Sequence, residues 1–94
     1  MELTIQKSFE ETIQIETPKF FKSKFTGRMA KLTDAGILKV NENLIIFSKT
    51  NQDRYFVSDV IELIDPSENN EISEYEFEKL FSKVFTDLQI KAYE

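Results

Sequence analysis

Across residues 3–15 the odd positions are mostly apolar (Leu3, Ile5, Phe9, Ile13, Ile15), and every even position from Glu2 to Glu16 is polar. A period of two marks extended chain with one dry face and one wet face. It predicts either one long strand or two strands joined by a bend near Lys7 and Ser8. Thr17-Pro18 ends the pattern, because proline has no amide hydrogen to give to a ladder. Further extended segments are expected over 20–26 and 28–33, with Gly27 as a bulge or turn. Asp34-Ala35-Gly36 is a turn signal. Segments 37–40 and 44–48 form a hairpin around Asn41-Glu42-Asn43. Residues 50–53 are the next polar turn, after which 55–57 is expected to extend the meander.

The period changes at Ser73. Ser73 and Glu76 stand in the S-x-x-E spacing of a capping box, in which the hydroxyl accepts from a first-turn amide and the carboxylate reaches back to the cap. Apolar residues follow at Phe77, Leu80, Phe81, Val84, Phe85 and Leu88, offsets of 0, 3, 4, 7, 8 and 11 that line one helical stripe. Glu74, Glu76 and Glu78 near its start, with Lys83 and Lys91 later, suit the helix dipole. The expected fold is α+β: an antiparallel sheet of about five strands with one C-terminal amphipathic helix packed on it, in a single domain of residues 1–94.

Composition narrows the chemistry. A chain of 94 residues with nine Phe and 40% hydrophobic residues can bury one modest core. It has no Cys and no His. Ser–His and Cys–His nucleophile pairs and His-containing zinc sites therefore cannot be assembled. Two glycines leave no Gly-rich phosphate loop. No catalytic residue and no cofactor is expected, and the chain reads as a non-enzyme without a small-molecule substrate. The first eleven residues lack the charged and apolar segments of a signal peptide, and no apolar run approaches the ~20 residues a membrane helix needs. A cytoplasmic protein is the expectation.

Charge is distributed unevenly. Residues 55–78 hold eight acids (Asp59, Glu62, Asp65, Glu68, Glu71, Glu74, Glu76, Glu78) and no Lys or Arg. Residues 19–39 hold Lys19, Lys22, Lys24, Arg28, Lys31 and Lys39 against Asp34 alone. The net charge of -5 conceals this separation. Such a layout speaks to partners rather than to fold. Carboxylates along an edge can imitate phosphates in the basic groove of a nuclease; Glu62, Glu68, Glu71, Glu74 and Glu78 are the candidates. On the opposite side, Lys22, Lys24 and Arg28 interleave with Phe20, Phe21 and Phe25, the arrangement that holds single-stranded RNA by tracking phosphates and stacking bases.

Residues 65–76 also resemble the twelve-residue EF-hand calcium loop. Asp65, Ser67 and Asn69 stand at its first, third and fifth positions. The Glu71 carbonyl stands at the seventh, and Glu76 at the bidentate twelfth. Val57, Val60, Ile61 and Ile64 before it, and Phe77, Leu80 and Phe81 after it, have helical spacing. Asn70 replaces the usual glycine at the sixth position, and only Asp65 and Glu76 would bring ligating charge.

The opening E-E-T-I-Q-I-E-T-P-K-F-F-K (10–22) and the ending I-S-E-Y-E-F-E-K-L-F-S-K-V (72–84) resemble short proteins of bacterial and phage genomes. Those proteins pair an alternating N-terminal strand, a Pro-aromatic-aromatic step and a capped C-terminal helix. Small acidic proteins of mobile elements include inhibitors of host defence, anti-CRISPR proteins among them. The resemblance itself implies no activity; by analogy with that type of protein, the expectation is an inhibitor of a nucleic-acid-handling enzyme acting through the charge-split surface, with an RNA-guided nuclease or its nucleic acid as partner. The alternatives are a calcium-binding hand and an RNA-binding module.

Overall fold

The computed structural model describes residues 1–6, 10–50 and 54–92. The alternating N-terminal segment forms two strands, β1 (Glu2–Gln6) and β2 (Glu10–Gln14), paired antiparallel with Leu3 opposite Ile13. The expected bend at Lys7 and Ser8, together with Phe9, lies outside the described residues. The hairpin ends are clamped at the first residue. The Met1 ammonium donates to the Ile15 carbonyl at 2.6 Å, and the Ile15 amide donates back to the Met1 carbonyl at 2.7 Å.

Thr17 and Pro18 lead into β3 (Lys19–Ser23), followed by β4 (Met29–Thr33), β5 (Gly36–Val40) and β6 (Ile45–Lys49). These pair as an antiparallel meander, as the hairpin signals require. The β3–β4 turn uses the Ser23 hydroxyl to accept from the Phe25 and Thr26 amides, and Gly27 adopts a positive φ of 73° there. In the β5–β6 turn the Asn41 side chain accepts from the Asn43 amide at 3.0 Å.

Two features depart from the sequence expectation. Residues 55–57 do not extend the meander; they lie in a helix, α1 (Arg54–Ile64). The reason is visible in its burial. Phe56, Val57, Val60 and Leu63 recur at helical spacing and all reach the core, whereas an extended 55–57 would turn Phe56 away from its neighbours on either side. The second departure is a further strand, β7 (Asn69–Ile72), which adds to β3 and completes a sheet of order β6-β5-β4-β3-β7. The C-terminal helix α2 (Glu74–Ala92) follows at once. Its cap is the expected one: the Ser73 hydroxyl accepts from the Glu76 amide at 3.2 Å.

The five-stranded sheet is covered on both faces. On one, Phe21, Ala30, Leu32 and Ile37 pack against Leu3, Ile5 and Ile15 of the hairpin region and against Phe56, Val57, Val60 and Leu63 of α1. On the other, Phe20, Met29 and Val40 pack against Phe77 and Val84 of α2. Adjacent residues of one strand therefore serve opposite cores, as the pleat demands. Aromatic contacts continue along α2, from Phe20 to Phe77 (5.5 Å between centroids), to Phe81 (6.1 Å) and to Phe85 (5.9 Å). Phe85 belongs to the helical stripe by spacing but is 47% exposed, because it lies at the margin of that stripe.

Candidate functional site

β3 carries much of the basic stretch and β7 part of the acidic one, and they are hydrogen-bonded neighbours. Lys22 pairs with Asn70, and Phe21 with Glu71. Lys19 approaches Glu71 at 3.9 Å. The Lys24 amide donates to the Glu68 carbonyl at 3.0 Å, and its ammonium donates to the Pro66 carbonyl. Across the sheet, Lys39 meets Asp59 of α1 at 3.8 Å. The two charge blocks, far apart in the chain, are thus interleaved in space rather than held at opposite poles.

The interleaving creates a pocket of about 250 Å³ between the β3–β4 turn, α1 and the α1–β7 turn. Its floor includes Phe21, Ala30 and Leu63, and Arg28, Glu62 and Glu68 line its rim. So Glu62 and Glu68 gather with Arg28 there, while Lys22 does not line it. Glu71, Glu74 and Glu76 are exposed around the outer end of β7 and the first turn of α2, and Glu78 is half-buried one turn on. Glu62 lies on α1 and Glu68 in the turn before β7, the edge strand of the sheet.

The EF-hand-like loop has the flanking helices its spacing implies, with α1 ending at Ile64 and α2 starting at Glu74. Its ligand set is engaged elsewhere. The Asp65 carboxylate accepts from the Ser67 amide at 2.9 Å and the Ser67 hydroxyl at 2.8 Å. These two bonds, with a smaller contribution from nearby Lys24, hold the Asp65 carboxyl below the usual carboxylate range. The Asn69 amide group donates to the Glu62 carbonyl at 3.0 Å. Residues 69–72 are extended in the ladder, so their side chains alternate between faces rather than converge. Among the described residues no three acidic side chains form a group able to hold a metal ion.

The basic, aromatic stretch is also used structurally. Phe20 and Phe21 are each 6% exposed, on opposite faces of the sheet, and Lys31 lies 5.6 Å from the Phe20 ring centroid. Only Phe25, 75% exposed in the β3–β4 turn, is left open among the three rings proposed to stack bases.

A surface that the sequence reading missed lies on the opposite edge. Leu44, Ile46 and Phe47 are 49%, 46% and 55% exposed on and beside β6. The run Leu44-Ile45-Ile46-Phe47 has the look of a strand buried on both faces. Its position at the end of the sheet leaves it half-covered, and no residue-level pattern signals which strand will be last.

No family model matches the chain, and no curated protein and no solved structure is found to be similar to it. Among the described residues no helix is long and apolar enough to cross a membrane.

Proposed function

We propose that this chain is a non-enzymatic binding protein whose acidic edge engages a basic macromolecular surface. The partner class is a nucleic-acid-handling enzyme, and the mode is the one used by small inhibitors of the anti-CRISPR type. The observation that supports this reading is the placement of Glu62 on α1, Glu68 in the turn before β7, Glu71 on β7, and Glu74 and Glu78 on α2, along the segments that lead into and out of the edge strand. A row of carboxylates on a rigid edge can occupy sites that Lys and Arg keep for phosphates. The absence of His and Cys in the chain supports binding over catalysis.

The test is inhibition of a purified RNA-guided nuclease, measured as cleavage at several salt concentrations. Inhibition should weaken steeply as salt rises, since exposed charges are screened beyond about 8 Å at physiological ionic strength. Glu62→Lys, Glu68→Lys and Glu74→Lys together should weaken it on the order of tenfold or more. Glu71 is left intact because it pairs with Lys19. The control reverses Lys22, Lys24 and Arg28 to Glu. Loss of inhibition in the control alone would move the working surface to β3 and its turn.

A further inference from the structure

We infer that the pocket between the β3–β4 turn, α1 and the α1–β7 turn binds a small amphipathic zwitterion, a free apolar amino acid or a short apolar peptide. The inference uses Glu62 and Glu68 but does not rest on the acidic-edge reading. The floor of the pocket follows from the sheet register. Phe21 pairs with Ala30, and Ala30 with Lys39, so the three form one row on the α1 face. Ala30 has the smallest side chain of the row and leaves a hollow between its longer neighbours. Leu63 lines the hollow from the helix side. Phe21, Ala30 and Leu63 are all buried, so the floor is a fixed apolar surface. The cavity of about 250 Å³ is smaller than the roughly 300–1,000 Å³ of pockets for drug-sized ligands, so its occupant is a smaller molecule.

The charges around that floor select the kind of molecule. Elsewhere on this part of the sheet opposite charges meet: Lys39 reaches Asp59 at 3.8 Å, and Lys19 reaches Glu71 at 3.9 Å. Arg28 on the turn wall, Glu62 on the helix wall and Glu68 on the third wall are exceptions. None of these three side chains makes a hydrogen bond or an ion pair among the described residues. The walls are held together without them. The Lys24 amide donates to the Glu68 carbonyl at 3.0 Å, and the Lys24 ammonium donates to the Pro66 carbonyl. The Asn69 side chain donates to the Glu62 carbonyl at 3.0 Å. The rim thus presents one cation and two carboxylates that the fold does not use. A simple anion drawn to Arg28 would meet two carboxylates, and a simple cation drawn to those carboxylates would meet Arg28. A molecule that carries both charges suits all three, with its carboxylate on Arg28 and its ammonium on Glu62 and Glu68. Its apolar body would lie on Phe21 and Leu63, with the exposed ring of Phe25 as a further apolar wall. An amino acid holds its two charges close together and a short peptide holds them further apart, but the chemistry at the rim is the same.

The test is a titration of the full chain at low salt with leucine and with leucyl-leucine, followed by amide chemical shifts in NMR. Saturating shifts should centre on Phe21, Arg28, Ala30, Leu63 and Glu68, and the tighter of the two ligands identifies the source. Isoamylamine lacks the carboxylate of leucine, and isocaproate lacks its ammonium. Each should bind roughly tenfold or more weakly, the loss expected for a missing charge-assisted hydrogen bond. Glycine, without the apolar body, should also bind weakly. Arg28→Gln, and Glu62→Gln combined with Glu68→Gln, should weaken binding of the tighter ligand by a similar factor with an unchanged melting temperature. Ala30→Val keeps every charge but fills the hollow, and should abolish binding. Should that variant fail to fold, the rim variants still decide, because Arg28 and Glu62 are exposed and Glu68 is half-buried. The absence of saturating shifts with both zwitterions overturns the inference. So does a singly charged analogue that binds as tightly as leucine, or binding that survives Arg28→Gln. Glu74 does not line the pocket. Glu74→Lys, one of the reversals expected to weaken nuclease inhibition, should leave binding of the zwitterion intact, so the two readings fail separately.

Discussion

The two edges of the sheet are opposites in chemistry. β7 is four residues long, carries Asn69, Asn70 and Glu71, and is bordered by the glutamates of α1 and α2. β6 is five residues long, with Ile46 and Phe47 half-open and an apolar Leu44 leading into it. Charge on an edge repels a second strand by desolvation and invites a partner with opposite charge. An apolar edge invites another apolar edge. The difference shows how one small sheet can present a charged surface at β7 and an apolar one at β6. They are separated by the width of five strands, about 19 Å at the usual interstrand spacing.

The comparison can be broken most forcefully from behind the β7 edge. Phe77 is 1% exposed and sits on Phe20, the strand to which β7 is paired. Phe77→Ala should cost about 3–5 kcal/mol. Thermal or urea melts will show it, and hydrogen exchange should increase in β3 and β7 before β6.

The β6 edge has its own point of failure. Gly36 has a φ of 148°, and a Cβ there would lie 2.1 Å from the Ser48 carbonyl oxygen and 3.0 Å from Lys49 Cα. β6 can approach β5 this closely only because residue 36 has no side chain. Gly36→Ala should cost about 1–3 kcal/mol in backbone strain alone, with further loss from the steric clash. Its amide exchange should rise in β5 and β6, with β7 protected.

The smallest effect concerns neither edge directly and serves as a reference for both. Asp34 is held below the usual carboxylate range by the Thr17 hydroxyl (2.7 Å), then by the Met1 ammonium (3.3 Å). A carboxylate whose folded value is depressed adds stability above its unfolded value, and loses it as pH falls through the folded one. Asp34→Asn should therefore melt slightly below the parent protein at pH 7 and converge with it as acid protonates the parent carboxylate. Asp34 is exposed, so the gap should be small, and equal melting at both ends of the pH range would show that the clamp of Met1 on Ile15 suffices without it.

Local features were legible where one residue pattern had one physical reading. The alternation of Leu3, Ile5, Ile13 and Ile15 needs a strand with one dry face. The Ser73 cap with its stripe from Phe77 to Leu88 needs a helix, and Asn41-Glu42-Asn43 between apolar runs needs a hairpin. The failures came where two readings were open. The short segment 55–57 fits a strand, but the longer spacing from Phe56 to Leu63 fits a helix, and the longer pattern buries more apolar surface. Phe85 fits the stripe by spacing, but a helix packed on a flat sheet covers only part of so wide a stripe. The eight acids of residues 55–78, which include the acidic candidate site residues, were legible as a group, because composition alone carries that signal. Their neighbours were not.

The sequence by itself determined the α+β class, the periods of its elements, the cap of α2 and the surplus of acid in residues 55–78. These follow from local propensity and from the burial of one face, which depend on residues close in the chain. Only the tertiary structure decided that β7 lies against β3, and so that Lys19 and Lys24 meet the acidic segment. It also decided that Phe20 and Phe21 serve separate cores, and that β6 is the last strand of the sheet. Strand order depends on the total packing of hairpin, helices and sheet, a sum over distant contacts that no single segment encodes.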